Sequence, residues 1–197
     1  MFPVFRYDII NHFIKKYGYK SYLEIGVAGG NCFRAVDCFY KVGVDPNNET
    51  TFVMTSDEFF EKHNEETFDI VFIDGLHMCD QVEFDIINSL RVLNPGGTII
   101  CHDMNPTTED MQIVPPRVNH GDWTGDCWKA WMRFRCLHED LEMTVIDTDY
   151  GVGIIRKGKQ KRVPVFLNTE NLTYNDLDAN RVEWLNLMSW EQYLNRG

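Results

Sequence analysis

The stretch that most restricts what this chain can fold into is Leu23-Glu24-Ile25-Gly26-Val27-Ala28-Gly29-Gly30. A short apolar run, Tyr22 to Ile25, meets a glycine cluster, and a segment with helical character follows. That succession describes a buried parallel strand that turns over a ligand and feeds a helix facing the same ligand. Gly26 lets the backbone turn sharply, and Gly29 and Gly30 let it approach a bound molecule with no Cβ in the way. The spacing is E-x-G-x-x-G-G and not G-x-G-x-x-G. A pyrophosphate loop works through bare amides, whereas a carboxylate at Glu24 suits a cationic or hydroxyl-bearing ligand. The plainer alternative is an ordinary strand-turn-helix corner.

The rest of the chain is consistent with one α/β domain carrying a short extension. It has 197 residues, 44% of them hydrophobic and 25% charged, enough to bury a core. The net charge of −11 argues against a nucleic-acid backbone as the main partner. Six cysteines are scattered without a C-x-x-C pair, which reads as reduced core thiols in a cytoplasmic protein, with no structural zinc. Met1 to Arg6 lack a cationic segment followed by a long apolar one, and no stretch approaches a membrane span, so no membrane association is expected.

Taken in order, Tyr7 to Tyr17 have helical spacing and Gly18 can end that helix. Strand Ser21 to Ile25, a helix over Asn31 to Phe39 and strand Lys41 to Asp45 follow. Asp45, about 20 residues beyond the glycine turn, stands where a doubly wound fold sets a carboxylate against ribose hydroxyls, although an aspartate before proline is also a common turn. Thr51 to Met54 reads as a short strand and Thr55-Ser56-Asp57 as a helix cap. The apolar run Phe68 to Ile73 delivers Asp74 to the ligand edge of the sheet, with His77 three residues on. A helix over Asp80 to Leu93, a turn at Asn94-Pro95-Gly96-Gly97 and strand Thr98 to Cys101 then deliver His102-Asp103.

Pro106 to Gly125 reads as a substrate loop or lid, Asp126 to Leu137 as an aromatic-rich helix, and Met143 to Asp147 with Gly151 to Ile155 as a closing strand pair. Arg156, Lys157, Lys159, Lys161 and Arg162 read as a solvated strand end, with anion or glycan contact as the alternative. The tail carries a helix over Asn175 to Leu187 and a capping-box spacing at Ser189-Trp190-Glu191-Gln192.

Order and spacing thus bring Glu24, Gly26, Asp45, Asp74, His77, His102 and Asp103 to one edge. The segments L-E-I-G-V-A-G-G, V-G-V-D-P, F-D-I-V-F-I-D-G-L-H and L-N-P-G-G-T-I-I-C-H-D together resemble class I S-adenosylmethionine (SAM)-dependent methyltransferases, over roughly Tyr19 to Arg156. The nearer resemblance is to metal-dependent O-methyltransferases of sugars and small molecules, of the macrocin and cephalosporin-hydroxylase-like type.

This resemblance implies an α/β fold: a doubly wound, Rossmann-like, mostly parallel seven-stranded sheet with an antiparallel end strand. Residues 1–158 would form the methyltransferase domain, and 159–197 a helical C-terminal extension packing on it or on a second subunit, so that a homo-oligomer stays open. The resemblance implies SAM at Glu24, Gly26, Gly29, Gly30 and Asp45, with Ser56 and Asp57 near the adenine and Asp74 at the same edge. It implies a divalent metal, Mg²⁺ or Mn²⁺, on Asp74, His102 and Asp103. The chain departs from the family at His102, where an acid is more usual. An imidazole moves the preference toward Mn²⁺, Fe²⁺ or Zn²⁺, or leaves His102 outside the coordination sphere. His77 would be the general base, with His102 as second candidate; the plainer alternative for both is a histidine satisfied by local hydrogen bonds.

The implied reaction is O-methylation of a hydroxyl on a carbohydrate or other small molecule, with no nucleic-acid partner. Two alternatives stand beside it. One is a non-catalytic module that holds SAM or a metabolite, disfavoured by the intact acid-histidine set. The other is a Rossmann-type oxidoreductase, disfavoured by the absent G-x-G-x-x-G. Ile73-Asp74-Gly75-Leu76 also lacks the Asn/Asp-Pro-Pro-aromatic motif of nucleobase N-methyltransferases.

Overall fold

A computed structural model describes residues 3–47, 49–118, 121–163 and 168–196. Parts of the expected lid (positions 119 and 120) and tail (164–167 and 197) therefore lie outside the described residues, as do position 48 and the first two residues.

Apolar runs too short for helices form the parallel strands β1 (Ser21–Ile25), β2 (Tyr40–Val44), β3 (Phe68–Ile73) and β4 (Leu93–Cys101). A hairpin of β5 (Leu141–Ile146) and β6 (Val152–Lys157), and the two-residue β7 (Leu187–Met188), complete the sheet. The order is β2-β1-β3-β4-β6-β5-β7. Only β6 runs antiparallel to its neighbours, and it lies between β4 and β5 and not at the sheet's end. Ile25 pairs with both Val44 and Ile73, and Ile73 pairs with Cys101. The four parallel strands therefore end level with one another. The ladder runs one residue further through Gly26 N–H to Val44 O (2.9 Å), Asp74 N–H to Ile25 O (2.8 Å) and His102 N–H to Ile73 O (2.9 Å).

Helices cover both faces. On one, α1 (Arg6–Tyr17) buries Ile9, Ile10, Phe13 and Ile14 at i, i+3/i+4 spacing against Tyr22, Ile70, Phe72 and Ile100, and stops at left-handed Gly18. It shares that face with α2 (Asn31–Ala35) and α7 (Trp190–Leu194). The other face carries α3 (Ser56–Lys62), α4 (Cys79–Val92), α5 (Cys127–Leu137) and α6 (Tyr174–Leu185). The tail's capping box forms as the spacing predicts: Gln192 N–H bonds Ser189 Oγ at 3.2 Å, and Ser189 N–H bonds Gln192 Oε1 at 2.8 Å.

Three expected elements differ. The helix after the glycines stops at Ala35 and not at Phe39, because the Lys41 ammonium takes the carbonyls of Phe33 (2.7 Å) and Val36 (2.9 Å) and the chain turns extended at Val36. Thr51 to Met54 forms no strand, only a Val44–Phe52 bridge, because the Phe52 ring turns onto His63 (4.3 Å) and Phe59 (5.4 Å). The seventh strand comes instead from the tail. The Asn94–Gly97 turn survives as a bulge inside β4: Leu93 pairs with Phe68, and pairing resumes only at Thr98 with Ile70.

The tail is tied to α5 of its own chain by Arg135, which is buried. Its Nε donates to Trp184 O (3.1 Å) and its Nη2 to Glu183 O (3.2 Å), closing the carbonyl end of α6. Arg135→Ala removes both of these bonds, while Glu183 O still accepts from Asn186 N–H at 3.2 Å. It is expected to cost about 2–3 kcal/mol in urea unfolding and to expose the tail to limited proteolysis. Unchanged stability would mean that the stacked Trp128–Trp184 pair holds α6 by itself.

Candidate active site

The level strand ends open onto a cavity of about 700 Å³, within the usual size range for small-molecule sites. Of the residues expected at a ligand site, Gly26, Asp45, Ser56, Asp57, Asp74, His77, His102 and Asp103 line it. Glu24, Gly29 and Gly30 do not.

At one end lies the glycine turn. Gly26 has φ +84°, and a Cβ there would meet Asp74 O at 2.1 Å, so only glycine lets the β1 and β3 ends close on each other. Asp45 organises the turn: its Oδ2 accepts from Val27 N (3.1 Å) and Ala28 N (2.9 Å), and its Oδ1 from Asn47 N (2.8 Å). Thr55, not Ser56 or Asp57, caps α3 through a reciprocal bond with Glu58, which leaves those two residues to face the cavity. Gln81 Nε2 reaches both, at 3.2 Å to Ser56 Oγ and 3.1 Å to Asp57 Oδ1, and also Asp85 Oδ1 at 3.2 Å. Burial pushes the Asp85 carboxyl up to about 6.

Glu24 follows the pleat of β1 to the other face, where Tyr22 OH donates to it within the α1–α2 layer. It is 1% exposed, and burial raises its carboxyl to about 7.

At the other end four side chains converge. His77 Nδ1 lies 3.1 Å from Trp123 O, and since a carbonyl only accepts, that nitrogen carries a proton. The bare Nε2 of neutral His77 then faces Asp74 Oδ1 (3.4 Å) and Asp103 Oδ2 (3.3 Å). Trp123 stacks on the ring at 5.3 Å. Burial works against a charged His77, but Asp74 and Asp103 raise its pKa overall.

His102 Nδ1 lies 3.3 Å from Asp74 Oδ1 and 3.1 Å from Asp103 Oδ2, and its Nε2 lies 3.5 Å from Asp149 Oδ1. Burial opposes its charge as well, yet Asp74, Asp103 and Asp149 more than reverse that and hold it well above the ordinary histidine range. Burial would likewise raise Asp74, but the charge and hydrogen bond of His102, the hydrogen bond of His77 and the Arg6 charge hold it well below the usual carboxylate range.

Asp74, His102 and Asp103 each offer an atom to a common point. The 3.1–3.3 Å spacing between Nδ1 and the two carboxylate oxygens suits adjacent ligands of one ion with bonds of about 2.1 Å. A donor set of two oxygens and one imidazole fits Mn²⁺, Fe²⁺ or Zn²⁺ better than Mg²⁺.

Arg6 and Asp149 also belong to this cluster, though no sequence spacing singled them out. Arg6 stands at the first turn of α1, and Asp149 in the β5–β6 turn, where Asp149 (φ 49°) and Tyr150 (φ 58°) both adopt left-handed backbone. The one available signal was an acid in a turn at the ligand end of a strand.

Comparison with known proteins agrees with the geometry. Residues 43–104 match the family model described as a methyltransferase domain. A protein of Mycobacterium sp. (strain JLS), whose name offers O-methyltransferase only as a candidate activity, is 32% identical over 68 residues, 34% of this chain and 30% of the relative. The chain thus spans about a third of that curated relative. Among solved structures, the O-methyltransferase TomG from Streptomyces achromogenes in complex with SAM superposes with a TM-score of 0.59 at 15% identity, covering 77% of this chain and 79% of TomG. MycE, of the mycinamycin biosynthetic pathway, solved with Mg, S-adenosylhomocysteine and mycinamycin VI, gives 0.50 at 16% identity, covering 82% of this chain and 52% of MycE. The fold is the one seen in these O-methyltransferase structures, and within it residues 43–104 carry the match to the methyltransferase-domain model. Among the described residues no helix is long and apolar enough to cross a membrane, and all six cysteines are free thiols.

Burial of Glu24 has a measurable consequence. A carboxyl whose folded pKa lies above its unfolded one stabilises fully below the unfolded value, near 4.5, and loses that contribution as pH rises through about 7. Between pH 5 and 8 the wild type is expected to lose on the order of 3 kcal/mol that Glu24→Gln retains, measured by urea unfolding. Parallel curves for the two proteins would show that Glu24 ionises in the fold as it does in the open chain.

Proposed function

We propose that this chain is a SAM-dependent O-methyltransferase that methylates a hydroxyl of a carbohydrate or other small molecule with the help of a divalent cation. The observation that carries this is the His77 ring, its Nδ1 on Trp123 O and its Nε2 facing Asp74 and Asp103, in the same cavity as the Asp45-anchored glycine turn. The structural likeness to SAM- and S-adenosylhomocysteine-bound O-methyltransferases supports the donor, and the acid-histidine cluster supports the acceptor chemistry.

SAM supplies an electrophilic methyl on a sulfonium; transfer forms an O–CH₃ bond, breaks the S–CH₃ bond and leaves S-adenosylhomocysteine. A divalent cation would stabilise the developing alkoxide. Asp74, His102 and Asp103 are the residues that would hold it. The remaining work falls to the chain itself. Asp45 sets the glycine turn by binding two of its amides, and its place at the end of β2 suits ribose hydroxyls. Ser56 and Asp57, steadied by Gln81, would border the adenine. His77 Nε2 takes the acceptor's proton, because Nδ1 is committed to Trp123 and only Nε2 has a lone pair to offer. Asp74 and Asp103 then stabilise the imidazolium that forms. Such a base typically contributes about 10²–10⁴-fold, and positioning of the two reactants roughly 7–11 kcal/mol.

The charge around the site favours neutral or polyhydroxylated acceptors. Asp45, Asp57, Asp74, Asp103 and Asp122 line the cavity, and Arg6 is the only lysine or arginine among the described lining residues.

Isothermal titration of the metal-stripped protein with S-adenosylhomocysteine is expected to show micromolar binding that Asp45→Ala abolishes. No binding to the wild type would overturn the methyl donor. With radiolabelled SAM and a panel of glycosides, His77→Gln is expected to lower kcat by about 10²–10⁴-fold. Its affinity for S-adenosylhomocysteine should not change, and the fall in wild-type rate at low pH should be missing from its residual activity. Retention of full activity by His77→Gln would remove His77 as the base.

A further inference from the structure

Arg6, mounted on Asp149, stands in the cluster without a part in the proposed chemistry. Its Nη1 lies 2.9 Å from Asp74 Oδ2 and 3.0 Å from His102 Nδ1. Those are two of the three residues that converge as metal donors, and His102 Nδ1 is itself one of the converging atoms. The Arg6 guanidinium and an ion would therefore stand beside the same two side chains, and a fixed positive charge at this distance opposes a second cation.

The guanidinium is not a loose surface group. Its Nε bonds Asp149 Oδ2 at 3.0 Å, and the same oxygen accepts the Arg6 backbone N–H, an otherwise orphaned amide of the first turn of α1, at 3.0 Å. The hairpin turn presents Asp149 from a left-handed backbone, which costs free energy and persists only where its surroundings enforce it. Those surroundings are visible. Thr148 Oγ1 bonds Val4 O at 2.6 Å, Met104 N bonds Gly151 O at 3.0 Å, and Asn105 N bonds Tyr150 O at 2.8 Å. The fold thus carries a dedicated mount that aims Arg6 at the donor atoms.

We propose that Arg6 is the resident cation of this cluster and competes with the divalent ion: the ion gains His102 Nδ1 only when the Arg6 guanidinium swings off His102 and Asp74. Asp149 retains the Arg6 backbone amide and Nε, so the displacement is confined to the tip of the side chain. The inference rests on the cation-assisted mechanism proposed above. It adds that Arg6 sets the affinity of the site and keeps the carboxylates paired when no ion is bound.

The test is Mn²⁺ binding, followed by titration calorimetry and by the loss of the free-ion electron paramagnetic resonance signal, with no substrate present. Arg6→Met keeps the side-chain bulk without charge or donors. Arg6→Lys keeps the charge but replaces the two nitrogens that hold Asp149 and Asp74 with one, and so grips the pair less firmly. Under competition both variants bind Mn²⁺ more tightly than wild type, Arg6→Met by roughly tenfold or more and Arg6→Lys by less.

Equal affinity of Arg6→Lys and wild type would reduce the effect to simple charge and overturn the competition, as would unchanged or weaker binding by Arg6→Met. Absence of Mn²⁺ binding in all three proteins would overturn both the competition and the cation-assisted mechanism. Titration with S-adenosylhomocysteine, unchanged across the three, separates that result from loss of the donor site and verifies that the variants are folded.

Discussion

Register is the constraint from which the rest of this structure follows. Hydrogen bonding between parallel strands leaves Ile25, Val44, Ile73 and Cys101 level with one another. Whatever follows each of them must then emerge along one line. Gly26, Asp45, Asp74 and His102 are those next residues, and all four line the cavity. Side chains alternate along a strand, so a slip of one residue in β1 would exchange its inward and outward sets, setting Tyr22 and Glu24 against the helices that now cover Leu23 and Ile25. The burial that stabilises the sheet therefore also fixes the geometry of the site, and the two cannot be varied independently.

That edge concentrates negative charge where water is scarce. Asp74, Asp103 and Asp149 all approach the ring of His102, and each must be compensated if the fold is to persist. His102 and Arg6 supply the compensation. The same groups make the site chemically capable, because carboxylates that hold an imidazolium also stabilise the product of proton abstraction by an imidazole. Trp123 extends this economy to the 106–125 segment: its carbonyl sets the tautomer of His77 while its ring covers the face of that imidazole. Covering that imidazole and fixing its orientation are done by one residue.

Legibility from sequence tracked how local the physical cause was. Strand Ser21–Ile25, the stop at Gly18 and the capping box at Ser189 each depend on neighbours a few residues apart, and each appears in the structure as its spacing predicts. Thr51 to Met54 misled because its composition suits a strand while Phe52 finds better packing on Phe59 and His63. The two-residue β7 carries too little pattern to be seen. It exists because Arg135 and the core residues Leu177, Trp184 and Leu185 bring the tail alongside β5.

The sequence by itself determined the α/β sheet, the glycine turn and the delivery of Asp45, Asp74, His77, His102 and Asp103 to one edge, because each sits at a fixed offset from a buried strand whose period is local. Only the tertiary structure decided what those residues face. Glu24 belongs to the same motif as Gly26, yet the pleat turns it away from the cavity toward Tyr22. Arg6 and Asp149 are 143 positions apart, and no periodicity joins them. They meet because α1 packs across the sheet and a left-handed turn carries Asp149 back to it, so the cation that occupies this acidic cluster is a product of packing and not of pattern.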